Sequence, residues 1–168
     1  GRRAARVEPG PIGLNLATSK EIPPWRAGRS VPGPAFAWRQ GSMPRVLVID
    51  DEPNQRRTLA IGLRLEGFEV TVAGNAHEAL EQLLTITVDV VLVDLMMPGV
   101  NGLDFARQMR TLHQGVPVVL TSAYHLSERQ LARADAGVVG FVPKPCAMPE
   151  MAKFLHAKAK AAVGMAKT

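Results

Sequence analysis

The sequence predicts an α/β protein built on a five-stranded parallel sheet. From Arg45 onward short β-branched runs alternate with longer helical patterns, and this alternation repeats five times. The runs are apolar almost throughout rather than on every second residue, which is how strands read when helices cover both faces of a sheet.

The first strand is expected over Val46–Ile49. The first helix opens with Pro53 in its first turn, where a missing N–H costs nothing, and runs to Glu66, because Gly67 can adopt the left-handed conformation that ends a helix. The second strand spans Phe68–Val72. The second helix carries a capping pair, Asn75 and Glu78, ahead of the stripe Ala76, Ala79, Leu80 and Leu83. Val88–Val93 is the third strand and the most continuously apolar, hence central. The third helix follows Gly102, with Leu103, Ala106, Met109 and Arg110 at helical spacing. Val116–Leu120 is the fourth strand. The fourth helix begins at Ser127, a good N-cap. Val138–Val142 is the fifth strand, and the fifth helix starts near Pro149, burying Met151, Phe154 and Leu155 while Lys153, Lys158 and Lys160 face water.

This pattern occupies residues 43–168. Residues 1–42 read differently: they contain six prolines and both tryptophans, Trp25 and Trp38, with no sustained period of 2 or 3.6. Gly41-Ser42-Met43 looks like a junction, so the segment reads as a disordered tail, an added leader or an upstream read-through, with a native docking arm as the alternative. The formal charge of +5 also resides there, since 1–42 hold seven basic and two acidic residues and the remainder thirteen of each. A basic tail beside a neutral domain gives no reason to expect specific nucleic-acid binding. At 46% hydrophobic and 21% charged the chain is globular in composition. It has no apolar run of membrane-spanning length, and its one cysteine, Cys146, asks for no oxidising compartment. A cytoplasmic protein without a membrane partner is expected.

In open parallel sheets ligands bind beyond the carboxyl ends of the strands. Polar residues converge there: Asp50-Asp51-Glu52 after the first strand, Asp94 after the third, Thr121-Ser122 after the fourth and Lys144 after the fifth. Two carboxylates ~4 Å apart repel by roughly 4 kcal/mol at an effective dielectric of 20, so Asp50, Asp51 and Asp94 need a cation to share a pocket. Mg2+ takes one or two carboxylates, waters and phosphate oxygens, and suits this set better than zinc or iron. A carboxylate can attack phosphorus when metal and cationic donors neutralise the phosphoryl oxygens. Asp94 is the candidate nucleophile; Lys144 would contact one phosphoryl oxygen, Thr121 would donate to another, and Asp50 and Asp51 would hold the metal. His77, His113, His125 and His156 are dispersed and receive no chemistry, and Cys146 reads as packing.

At these residues the chain resembles bacterial response-regulator receiver domains of the chemotaxis type. The likeness covers residues 44–162 and rests on four segments in the family's order: Val46 through Glu52, Asp94 through Gly99 with Asn101-Gly102, Leu120 through Ala123, and Val142 through Pro145. It implies a flavodoxin-like, doubly wound sheet of order 2-1-3-4-5 with five helices. It implies phosphorylation of Asp94 by a histidine kinase, a phosphotransfer protein or a small acyl phosphate, catalysed by the receiver itself. It further implies that Asp94 and the Met96 backbone carbonyl join the Mg2+ ligands, that the Lys144–Pro145 peptide is cis, and that Thr121 and Phe141 are switch residues. Phe141 is also explained by ordinary strand-end packing. The switch would reshape the face of the fourth helix, fifth strand and fifth helix for a downstream protein target, by population shift.

One departure from the family is informative. Met96 and Ala123, two residues after Asp94 and Thr121, cannot align an attacking water, so slow self-dephosphorylation is expected. A stand-alone receiver is expected, since the chain ends soon after the last helix. The alternatives are a receiver fragment of a larger regulator or hybrid kinase, and an aspartyl-nucleophile phosphatase. The phosphatase would usually carry DxD at the first strand, which this chain lacks.

Overall fold

The computed structural model describes residues 42–113, 115–124, 127, 130 and 135–165. Five strands, β1 (Arg45–Ile49), β2 (Glu69–Ala73), β3 (Val90–Asp94), β4 (Val118–Ser122) and β5 (Val138–Pro143), form one sheet of order β2-β1-β3-β4-β5. Every neighbouring pair is parallel. The order, the central place of β3 and the parallel pairing are as expected.

Four helices lie among the described residues: α1 (Pro53–Leu65), α2 (Ala76–Gln82), α3 (Gly102–Leu112) and α4 (Met148–Met165). The helix expected from Ser127 falls mostly outside the described residues. Its start carries a capping box, since Ser127 N donates to Gln130 Oε1 at 2.8 Å and Gln130 N to Ser127 Oγ at 3.3 Å.

Side-chain alternation divides each inner strand between two cores. Leu47, Ile49, Val91, Val93 and Leu120 pack with α2 and α3, including Phe105 and Met109. Val46, Val48, Val90, Leu92 and Val119 pack on the opposite face with Leu59 and Leu63 of α1 and Met151 and Leu155 of α4. Each such side chain contributes about 1.5–3 kcal/mol through burial, so the sheet ends are held by apolar packing on both sides.

Local signals fix the helix ends. Pro53 opens α1, and Gly67 (φ +88°) turns the chain so that Phe68 N donates to Leu63 O at 3.0 Å. Asn75 Oδ1 accepts from Glu78 N at 2.9 Å, while Glu78 reaches back to Gly74 N at 2.7 Å. Asn101 caps α3 through Asp104 N.

Strand boundaries move by one or two residues from those expected. The third strand starts at Val90 because the Asp89 carboxylate is turned to the backbone N–H and guanidinium of Arg45. Phe154 is half-buried rather than buried, for it sits over Gly140 on the edge strand β5. Lys158 does not stand free in water, since its Nζ lies 5.0 Å from the Phe154 ring centroid. Among the described residues no helix is long and apolar enough to cross a membrane.

Candidate functional site

The carboxyl ends of β1, β3, β4 and β5 open on one rim, and the sequence-predicted residues meet there. Asp50 follows β1, Asp94 closes β3, Thr121 lies opposite Asp94 on β4, and Lys144 follows β5. One carboxylate oxygen from each of Asp50, Asp51 and Asp94 lies within 4.8 Å of the others. Asp50 and Asp94 are buried, whereas Asp51 is exposed.

Each buried acid is anchored by its own loop. Asp50 Oδ1 accepts from Glu52 N at 2.9 Å, and Asp94 Oδ1 accepts from Met96 N at 3.1 Å. These turns leave the second oxygens facing Lys144, whose Nζ lies 2.8 Å from Asp94 Oδ2 and 3.1 Å from Asp50 Oδ2. Burial draws the Lys144 pKa down, but hydrogen bonds to Asp94 and Asp50, and their charges, outweigh it and hold the ammonium above its ordinary 10.5. Lys144 N donates to Ser122 O at 2.8 Å, and the Lys144–Pro145 peptide is cis.

Thr121 is almost fully buried, and its Oγ1 has no hydrogen-bond partner among the described residues. A buried hydroxyl without a partner is costly, so its hydrogen-bonding capacity is unspent beside Asp94 in the strand register. Phe141 stands one register step before the Thr121–Val142 pair, half-buried at the margin of the α2/α3 core. The Met96 side chain is exposed. Gly102 is required by space: a Cβ there would lie 2.5 Å from the Asp94 carbonyl oxygen.

Two participants were not legible from sequence. Gln55 Oε1 accepts from Lys144 Nζ at 2.7 Å, and Arg56 Nη1 donates to Asp50 O at 2.6 Å. Their available signal was position in the first turn of the helix that leaves the acid pair. Cys146 is not activated, since burial, with Glu150 nearby, pushes its thiol pKa up.

Three carboxylates and one ammonium leave a net charge of about −2, which suits a hard divalent cation together with an anionic phosphoryl substrate. A family model for the response regulator receiver domain matches residues 46–156. The chain belongs to that family. It is therefore a receiver domain of two-component signalling, with the fold the sequence led us to expect.

Among curated relatives, this receiver is 36% identical over 114 residues to the DNA-binding response regulator MtrA of Mycolicibacterium smegmatis, covering 68% of this chain and 50% of that protein. It is 36% identical over 107 residues to the regulatory protein AtoC of Escherichia coli, covering 64% of this chain and 23% of that one. The chain thus spans half or less of the length of these relatives. Among solved structures, the response regulator TrrA of Thermotoga maritima, in complex with Mg2+-BeF, is 32% identical with TM-score 0.62, over 69% of this chain and 99% of that one. The receiver domain of the response regulator NarL of Mycobacterium tuberculosis is 31% identical with TM-score 0.64, over 71% and 98%.

Proposed function

We propose that this receiver accepts a phosphoryl group on Asp94 in a Mg2+-dependent reaction and thereby switches a protein-binding surface. The observation that carries the reading is the convergence of Asp50, Asp51 and Asp94 within 4.8 Å, with Lys144 Nζ 2.8 Å from Asp94.

Asp50, Asp51, Asp94 and the Met96 carbonyl would hold the ion. Mg2+, when bound, supplies positive charge to the phosphoryl oxygens and lowers the repulsion between them and the attacking carboxylate. An Asp94 carboxylate oxygen attacks phosphorus, the bond from phosphorus to the donor's leaving atom breaks, and the leaving group departs with that electron pair. The product is an acyl phosphate on Asp94. Lys144 moves its hydrogen bond from Asp94 Oδ2 to a phosphoryl oxygen, and the Thr121 hydroxyl donates to another. Satisfying that hydroxyl is the step that couples chemistry to shape: Thr121 turns towards Asp94, Phe141 moves inward, and the face near β5 and α4 is remade.

The donor in this reading is a histidine kinase, a phosphotransfer protein or a small acyl phosphate, and the immediate output partner is a protein. We place the receiver at 43–168 and treat 1–42 as an appended tail. The length of the relatives favours a second reading of the context, in which this receiver belongs to a larger regulator whose output lies in another segment.

Intact-mass measurement after acetyl phosphate and Mg2+ tests the function. One phosphoryl group is expected on the wild type and none on Asp94→Ala. Equal labelling of both would overturn the assignment, and sustained hydrolysis of a chromogenic phosphate ester would favour a phosphatase instead.

A further inference from the structure

From the contacts of its side chain, we infer that Gln55 is a positioning residue that holds the Lys144 ammonium over Asp94. This rests on the reading that Lys144 meets the transferred phosphoryl group. A lysine ammonium has three N–H donors and no acceptor. Here the acceptors around Nζ are Gln55 Oε1 at 2.7 Å, Asp94 Oδ2 at 2.8 Å and Asp50 Oδ2 at 3.1 Å.

These three holds differ in how they fare during the reaction. Asp94 loses its free carboxylate when it becomes an acyl phosphate, and Asp50 is drawn into binding the cation. Gln55 is neutral and takes no part in either event, so its bond to Lys144 can persist from the resting site through transfer. The lysine stem is four methylenes long and loses its orientation readily without a fixed partner.

Gln55 is itself fixed. It lies half-buried in the first turn of α1, and its Nε2 donates to the Glu52 carboxylate. Glu52 in turn supplies the backbone N–H that anchors Asp50. Gln55 therefore connects the acid pair after β1 to the lysine after β5, 89 residues away. An amide at this position adds direction without charge. It leaves the −2 balance of the rim available for a divalent ion, which a fourth carboxylate would alter.

The test compares the full chain with Gln55→Met, which keeps the side-chain length and removes the acceptor, and with the double variant Glu52→Gln/Gln55→Glu, which keeps an oxygen acceptor at 55, a hydrogen bond between the two side chains and the charge of the rim. The first readout is the 1H–15Nζ NMR signal of Lys144, assigned by its loss in Lys144→Arg. The second is the phosphorylation rate by intact mass across acetyl phosphate concentrations in Mg2+. In Gln55→Met the Lys144 signal should broaden into exchange, and the rate at saturating donor should fall about fivefold, the scale of one net hydrogen bond, with the half-saturating concentration unchanged. The Glu52→Gln/Gln55→Glu double variant should keep the signal. A Gln55→Met rate matching that of the wild type, or loss of the signal in the Glu52→Gln/Gln55→Glu double variant, overturns the inference while leaving Asp94 as acceptor. Failure of the wild type to take any phosphoryl group overturns the underlying reading as well, and the two failures are thus distinct.

Discussion

Lys144 Nζ lies 2.8 Å from Asp94 Oδ2 and 3.1 Å from Asp50 Oδ2, across chain separations of 50 and 94 residues. One cation thereby joins the ends of β1, β3 and β5. With it removed, Asp50 and Asp94 face each other inside the rim with their attractive partner gone. Lys144→Met should lower stability by about 2–3 kcal/mol, because breaking a largely buried pair leaves uncompensated charge. Added Mg2+ should recover more stability in the variant than in the wild type, as ligand linkage requires. Urea denaturation with and without the ion measures both effects, and an equal Mg2+ response would count against the shared pocket.

The same pair carries a pH dependence of definite sign. The folded state holds the Lys144 proton more tightly than the unfolded chain, since its pKa is raised above 10.5. Its contribution is therefore complete below that value and is lost as pH rises through the higher folded pKa. The stability advantage of wild type over Lys144→Met should stay constant from neutral pH upward and shrink only in the alkaline range beyond 10.5. Urea midpoints of both proteins across that range test this, and an advantage that disappears nearer neutrality would contradict it.

Thr121→Val replaces a buried hydroxyl that has no partner among the described residues with a methyl group of the same shape. The resting protein should gain about 1 kcal/mol, since an orphaned buried polar group costs roughly 1–3 kcal/mol. Phosphorylation should then give a weaker shape response, because the variant has no donor to offer the phosphoryl oxygen. Thermal unfolding reads the first effect and amide NMR shifts near β5 and α4 read the second. A destabilised variant would mean that the hydroxyl is already satisfied in the resting protein.

The sheet was legible because its strands are apolar on both faces, and the site because its residues stand at the carboxyl ends of those strands or directly after them. Asp50, Asp94, Thr121 and Lys144 needed only the rule that parallel strands point their carboxyl ends one way. Gln55 belongs to no strand end, and its partner lies 89 residues distant, so no local pattern announces it. Phe154 has the spacing of a core residue, yet β5 is an edge strand and covers only part of its ring. Helical spacing specifies a face, whereas burial depends on what that face meets.

Gly102 offers a prediction whose sign separates helix propensity from packing. Ala is favoured over Gly by about 1 kcal/mol in a helix interior and by less at a first position such as this one, so propensity alone never makes Gly102→Ala destabilising. Here the added Cβ would lie 2.5 Å from the Asp94 carbonyl oxygen and 3.0 Å from Leu95 Cα. Backbone atoms of a central strand cannot yield cheaply, so the variant should lose about 2–3 kcal/mol, as overpacked cores do. Phosphoryl uptake should fall too, because the displaced backbone is that of Asp94. A chemical denaturation curve decides the sign, and a stabilised variant would show that the α3 start is free to shift.

Loss of the phosphoryl group should be slow. Hydrolysis needs a water held in line with phosphorus opposite the Asp94 oxygen, and a side chain at the rim must orient it. The two exposed positions that follow the acceptor and Thr121 at a distance of two residues are Met96 and Ala123, a thioether and a methyl group. Neither forms the hydrogen bond that fixes a water's lone pair. The phosphorylated protein, isolated in Mg2+, should therefore persist for minutes or longer, as followed by intact mass. Met96→Gln introduces an amide at an exposed site where folding is insensitive to the change, so it should shorten that lifetime without altering stability. A wild-type half-life of seconds, or a lifetime unaffected by the amide, would show that the attacking water is ordered from elsewhere in the rim.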